Sequence, residues 1–262
     1  MTSSKSVHSF VKEATVAIAL FNPNDKSGDC PFEVIGSGFC LHSEGLIATC
    51  AHVLLAFFDK TAHERIASGN SENDGKRFEL NGAIPHVIFY SPRIVGAELY
   101  VFPIPIVNAV SKTDFDLALL KINRHSAFPN GYPTLQIADY EGLHETMEIG
   151  TCGFPLGNVL QKELGTITSS FTKGMISSII PVPNVDKQHL KGFQLDLTAT
   201  NGNSGGPVFE LSTGKVFGVI ERGIQHPQTG HIVQGLTKAA PIYPLYENDL
   251  INRLLKGLEL PK

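Results

Sequence analysis

This sequence predicts an all-β fold, and three observations carry the prediction. Apolar runs of strand length recur along the chain and are dominated by Val, Ile, Phe, Thr and Tyr. Gly, Pro, Asn, Asp and Ser separate them, and 25 Gly and 16 Pro supply turns throughout. A regular strand–helix alternation, which would point to a parallel sheet, is missing. With 262 residues and 42% hydrophobic content, the chain can bury a large core in one domain or two packed halves.

In chain order, the first run covers residues 14–21 and is stopped by Asn22-Pro23-Asn24-Asp25. It is too short to span a bilayer and makes a poor signal-peptide core, so it is read as a buried first strand over 16–21. No other stretch reaches membrane-spanning length, and a soluble, cytoplasmic chain is expected. Further strands are predicted at 47–49, 86–89, 99–107 and 117–122. Others follow at 166–169, 174–180, 193–197, 207–209 and 216–220. Residues 51–58 read as a helix. The polar stretch 60–76, with two Asn- and Gly-containing turns, reads as an exposed loop. Residues 124–132 read as a link between halves, giving an N-terminal half over 1–128 and a C-terminal half over 129–262. Leu245, Ile251, Leu254, Leu255 and Leu258 fall near helical spacing, which predicts an amphipathic helix over 244–258.

Composition excludes several function classes. A net charge of -4 and a pI near 6.2 argue against a nucleic-acid partner. No phosphate loop or dinucleotide-binding pattern occurs, and no cofactor is expected. Cys30, Cys40, Cys50 and Cys152 form no C-x-x-C pair, so they are expected as free buried thiols and no metal site is expected. His42, His63, His86, His125 and His144 lack metal-ligand spacing. Tyr90, Tyr100, Phe102 and Tyr132 read as core packing. His226 and His231 are candidates to face a substrate side chain.

Three motifs carry chemistry. Asn201-Gly202-Asn203-Ser204-Gly205-Gly206-Pro207 surrounds a serine with glycines. Glycine permits a tight turn that pushes the hydroxyl outward and lets a substrate backbone approach. The NH groups of Gly202 and Ser204 can converge on a developing oxyanion. Thr49-Cys50-Ala51-His52-Val53 ends an apolar strand, where His52 can serve Ser204 as general base. Asp114-Phe115-Asp116-Leu117 leads into another strand. Asp116 is preferred over its rival Asp114 because the apolar run begins directly after it. The order His, Asp, Ser matches one known triad arrangement, whereas an α/β-hydrolase order would need Glu221 with His226 or His231, only a few residues apart.

Taken together, these blocks resemble a trypsin-like serine peptidase of the HtrA/Deg type, without a PDZ domain, over most of residues 14–242. The matching pieces are Gly36-Ser37-Gly38-Phe39-Cys40 with Gly45-Leu46-Ile47-Ala48-Thr49-Cys50-Ala51-His52-Val53, the run from Asp116 to Lys121, Gly153-Phe154-Pro155-Leu156-Gly157, a strand pair over 166–179, and Gln194-Leu195-Asp196 ahead of the serine heptad. The resemblance implies two six-stranded chymotrypsin-like β-barrels with the active site between them. It implies His52 as general base, Asp116 as its orienter, Ser204 as nucleophile, and Gly202 and Ser204 as oxyanion donors. Thr198 and Ala199 would line the primary pocket. Ile220, Glu221, Arg222 and Gly223 would pair with the substrate backbone.

The implied activity is serine endopeptidase, acting on a polypeptide through an acyl-enzyme. The alternatives are a latent or inactive protease-fold binding module governed by a protein partner or larger assembly, and an esterase or acyl-transferase with the same triad. Two departures sharpen the reading. Asn203 stands where digestive trypsins carry an Asp, and no Ile-Val-Gly-Gly start exists, so activation by N-terminal cleavage is not expected. Thr198 is not acidic, so cleavage after Lys or Arg is not expected, and a small or medium apolar residue is the default.

Overall fold

Strand pairing among the described residues closes two six-stranded antiparallel barrels. The computed structural model describes residues 7–23, 32–55, 84–90, 101–157, 159, 163, 168–183, 186–246, 251, 254 and 255. The first barrel contains β1 (Thr15–Phe21), β2 (Phe32–His42), β3 (Leu46–Cys50), β4 (Ile84–Tyr90), β5 (Val101–Lys112) and β6 (Leu117–Ile122), joined in the order β1-β2-β3-β6-β5-β4. The second contains β7 (Glu148–Gly153), β8 (Ser170–Ile180), β9 (Gly192–Leu195), β10 (Pro207–Glu210), β11 (Val216–Gln225) and β12 (Ile232–Pro241), in the order β10-β11-β12-β9-β8-β7. Two short helices, α1 (Val7–Ala14) and α2 (Ala51–Leu55), flank β1 and follow β3.

Burial explains why some strands are continuous apolar runs. Every residue of β3 and β6 is buried, because one face fills the first barrel and the other meets neighbouring structure. In β1, Val16 and Ile18 join the main core, while Ala17 and Ala19 pack with Val34, Ile88 and Phe154. Phe154 follows β7, so this small cluster joins the two barrels. Phe89, Phe128 and Tyr132 close one end of the first barrel, with Phe89 and Tyr132 stacked at 4.9 Å. Phe193 and Phe217 pack edge to face at 5.1 Å inside the second. Buried side chains of this size contribute roughly 1.5–3 kcal/mol each.

The predicted runs at 86–89, 117–122, 207–209 and 216–220 lie inside β4, β6, β10 and β11. Several elements differ from expectation. Residues 168 and 169 are not strand, and β8 runs unbroken from Ser170 to Ile180, not as a pair. Helix α1 was not anticipated. It buries Val11 and Ala14, and its Val7 reaches Gly214 of the second barrel. At the C-terminus, Tyr243–Leu245 form a 3-10 turn where the helix was expected to begin. Ile251, Leu254 and Leu255 are helical, and Ile251 and Leu254 pack on the main core. The remainder of that helix, the 60–76 loop and Cys30 lie outside the described residues.

Cys40, Cys50 and Cys152 are free and buried. Desolvation raises Cys40 to about 12 and Cys152 to about 11, and Cys50 is also raised. Lys121 is buried at the end of β6, where its Nζ donates to the carbonyls of Glu44 and Ile122. Desolvation lowers it to about 8.

These groups act on stability in opposite directions. Above about pH 8.5 an unfolded thiol releases its proton while the folded one keeps it, so folding loses stability as pH rises. Between about pH 8 and 10 an unfolded lysine keeps a proton that folded Lys121 has released, so folding gains. The urea midpoint is therefore expected to fall from pH 8 to 10. Cys40→Ala should flatten that fall and Lys121→Met should steepen it. Parallel curves for all three proteins would contradict the assignment.

Candidate active site

Strand register brings His52 and Asp116 together. In the β3–β6 pair, Cys50 lies opposite Leu117, so the residues just after β3 face those just before β6. A 3-10 turn at Thr113–Phe115 leads into Asp116, which sits in the left-handed region at φ 52, ψ 38 and donates its NH to the Thr113 carbonyl. Asp tolerates this conformation better than most residues. From there its carbonyl accepts the Ala51 NH at 2.9 Å and its Oδ1 accepts the His52 NH at 2.9 Å. Its Oδ2 lies 2.6 Å from His52 Nδ1. An ionised carboxylate only accepts, so Nδ1 carries the hydrogen and Nε2 is left with its lone pair. Asp114 is exposed within the turn. The chain there is a 3-10 turn and not extended.

Two overlapping turns shape the serine loop. Asn203 NH bonds to Thr200 O, and Gly206 NH bonds to Asn203 O. Each turn has glycine at its third position with positive φ, Gly202 at 94° and Gly205 at 89°. That is the type II requirement, met twice in one heptad. A Cβ on Gly202 would lie 2.2 Å from the Phe154 carbonyl, and one on Gly205 would lie 2.0 Å from the Ser37 carbonyl. Ser204 is the second residue of the second turn. Its carbonyl accepts the Ser37 NH at 2.8 Å, and its Oγ donates to the Glu221 carbonyl at 2.9 Å. Among the described residues, the NH groups of Gly202 and Ser204 have no hydrogen-bond partner.

A cavity of about 490 Å³ opens beside Ser204. Ala199, read as a pocket residue, lines it, as do Arg222 and Gly223, read as pairing with the substrate backbone, and Thr200, Asn201 and Ile224. Thr198, Ile220 and Glu221 are not among the residues that line it. Thr198 Oγ1 accepts from the Gly235 NH, and Ile220 is fully buried, with its carbonyl accepting from Gly205 NH and Cys50 Sγ. Glu221 contributes its carbonyl, while its buried carboxylate pairs with Lys238 at 2.8 Å and with Arg222 at 3.6 Å. The sequence signal for the extra lining residues was position alone: Thr200 and Asn201 precede Gly202, and Ile224 continues the β11 edge. His226 and His231 form the neck of the β11–β12 hairpin, with His226 NH on His231 O.

Cys50 Sγ and the ligating atoms of His52 and Asp116 lie within 4.8 Å of one another. Such a set offers three metal ligands in principle. Burial holds Cys50 in its protonated form, and its hydrogen is committed to the Ile220 carbonyl, so the donor set fits a hydrogen-bonded site better than a metal.

Residues 36–219 match the family model of the trypsin-like peptidase domain. The chain is 27% identical over 215 residues to a "Probable periplasmic serine endoprotease DegP-like" from Rickettsia conorii, covering 81% of this chain and 32% of that protein. Two solved structures of the HtrA-type protease AlgW with tripeptide, one of them a variant form, share its fold at TM-scores of 0.57 and 0.56, each at 18% identity. Each alignment covers 97% of this chain and 65% of the AlgW chain. The chain thus spans about a third of the curated relative and about two thirds of the solved ones. The cytoplasmic placement does not stand beside a relative named as periplasmic. It rested on the lack of a leader-like segment, which says nothing of where related domains work. By family match and by fold, this chain belongs to the trypsin-like peptidase domain family, with the motif pattern of its HtrA/Deg members.

Proposed function

We propose that the chain is a serine endopeptidase in which Ser204 is the nucleophile, His52 the general base and Asp116 its orienter. The observation that carries this reading is the double hydrogen bond of Asp116 to His52, at the backbone NH and at Nδ1. One carboxylate fixes both the place of the residue and the tautomer of its ring. His52 takes the Ser204 proton, Oγ attacks the peptide carbonyl, and the oxyanion forms against the NH groups of Gly202 and Ser204. His52 then returns the proton to the leaving amine, and water releases the acyl-enzyme by the same route. The substrate is a polypeptide strand that adds to the edge of β11 near Arg222 and Gly223. The cavity lining contains no acidic side chain among the described residues, which argues against Lys or Arg before the scissile bond.

One observation favours a resting state that awaits substrate. Ser204 Oγ is hydrogen bonded to the Glu221 carbonyl. An incoming peptide NH can take that carbonyl, and the hydroxyl is then free to rotate toward His52. The latent reading is the extreme of this state, with the rotation controlled by a partner protein.

A fluorophosphonate should label the protein covalently, and Ser204→Ala should abolish the label. An unlabelled wild type, tested with and without added peptide, would sink the endopeptidase reading. Asp116→Asn should retain the fold and lower kcat by about four orders of magnitude, because the ring is then held in the wrong tautomer. A peptide library should be cut after small or medium apolar residues, and preferred cutting after Lys or Arg would refute the assignment of the cavity.

A further inference from the structure

Ser37 stands on β2 of the first barrel, fully buried, yet all its polar groups point to the serine loop or its supports. Its hydroxyl donates to the Gly202 carbonyl at 2.5 Å and accepts from the Phe154 NH at 2.9 Å. Its NH donates to the Ser204 carbonyl, and its own carbonyl accepts from Thr49 Oγ1 at 2.7 Å.

The two peptide groups that flank Gly202 are both pinned. The one after it is held through its carbonyl by Ser37 Oγ. The one before it is held through the Asn201 carbonyl, which accepts the Leu156 NH at 2.7 Å. In a trans peptide the C=O and N–H point to opposite sides, so this second bond directs the Gly202 N–H away from Leu156. Leu156 itself is held at φ 49, a rare conformation for a leucine. It lies two residues beyond Phe154, whose NH is tied to Ser37 Oγ. Both restraints therefore meet at one hydroxyl. Glycine has no Cβ to resist rotation, so without them the Gly202 peptides would turn easily.

We propose that Ser37 is a positioning residue for the oxyanion site: its hydroxyl, supplied by the first barrel, locks the peptide groups around Gly202 in the second barrel so that the Gly202 N–H faces the developing oxyanion. The inference rests on the endopeptidase reading above. It also means that the oxyanion site is complete only while the two barrels are docked at Ser37.

Four proteins test it: wild type, Ser37→Ala, Ser37→Thr and Ser37→Cys. Ser37→Ala should lower kcat and the fluorophosphonate labelling rate by about 10- to 100-fold with KM within about threefold, since the loss falls on the transition state. Affinity for a peptidyl boronate, a tetrahedral mimic, should fall in parallel, while affinity for the matching product peptide acid holds. Ser37→Thr, which keeps the hydroxyl, should restore most of the rate. Labelling of Ser37→Ala within twofold of wild type would overturn the proposal, as would equal losses for boronate and product peptide. If Ser37→Ala does not fold by circular dichroism, Ser37→Cys is read in its place, being nearly isosteric with a weaker donor. If wild type itself is not labelled, the endopeptidase reading fails. The positioning role is then judged by amide exchange at residues 201–204, expected to quicken about tenfold or more in the variant with β11 unchanged, since local opening sets that rate. Unchanged exchange in the loop would reject it.

Discussion

Ser37 NH bonded to Ser204 O is the contact on which the rest of the site depends, because it joins the two barrels at the serine itself. His52 and Asp116 are placed by β3 and β6 of the first barrel, and Ser204 by a loop of the second. No local turn can set the distance between them. It is set where β2 meets the serine loop, where Cys50 Sγ reaches the Ile220 carbonyl, and where Phe154 fills the gap between Ala17, Ala19 and Ile88. These polar contacts are buried, so each group left unpaired would carry a desolvation cost of roughly 1–3 kcal/mol. That penalty makes the docked register much better defined than apolar burial alone would make it, since hydrophobic contact has little directional preference.

The close approach also explains the residue types in the loop. Gly202 and Gly205 face the Phe154 and Ser37 carbonyls at distances that no Cβ could occupy. Their positive φ angles are half of the requirement, and the other half is a backbone pressed close, that of Phe154 after β7 for Gly202 and that of Ser37 in the first barrel for Gly205. A glycine-rich heptad is therefore the imprint of two backbones pressed together, with the serine hydroxyl left at the one open corner between the turns.

Much of this was legible in the sequence where one force dominates. The runs that became β1, β3 and β6 are buried on both faces over most of their length, so their residues are mostly apolar, with Thr15, Thr49 and Lys121 the exceptions. The strands that were not anticipated are of another kind. β2 carries Gly36, Ser37 and Gly38 where it meets the serine loop, β7 is half Gly and Thr, and much of the outer half of β12 is exposed. Their pairing is decided by partners far along the chain. Asp116 could be read from its place ahead of an apolar run, but the 3-10 turn over Thr113–Phe115 that leads into it could not. The cavity was legible only in part. Register shifts in the β11–β12 pair at Ile220/Arg222 and Gly223/Gln225 break the strict alternation of side chains that a sequence reading assumes.

Charge placement completes the site's logic. Glu221, whose carbonyl accepts from Ser204 Oγ, buries its carboxylate, and an uncompensated charge there would be a second, undirected counter-charge beside the site. Lys238 meets it at 2.8 Å from the neighbouring strand, so the pair adds little net field. Asp116 has no Lys or Arg partner among the described residues, and both of its oxygens are turned to His52. Of these two carboxylates, the one without a Lys or Arg partner is thus the one bonded to the ring that must take up a proton. An Arg or Lys partner on Asp116 would weaken that pull, and without Lys238 the Glu221 carboxylate would add a second, undirected negative charge. The arrangement gives the developing imidazolium a single, directed counter-charge.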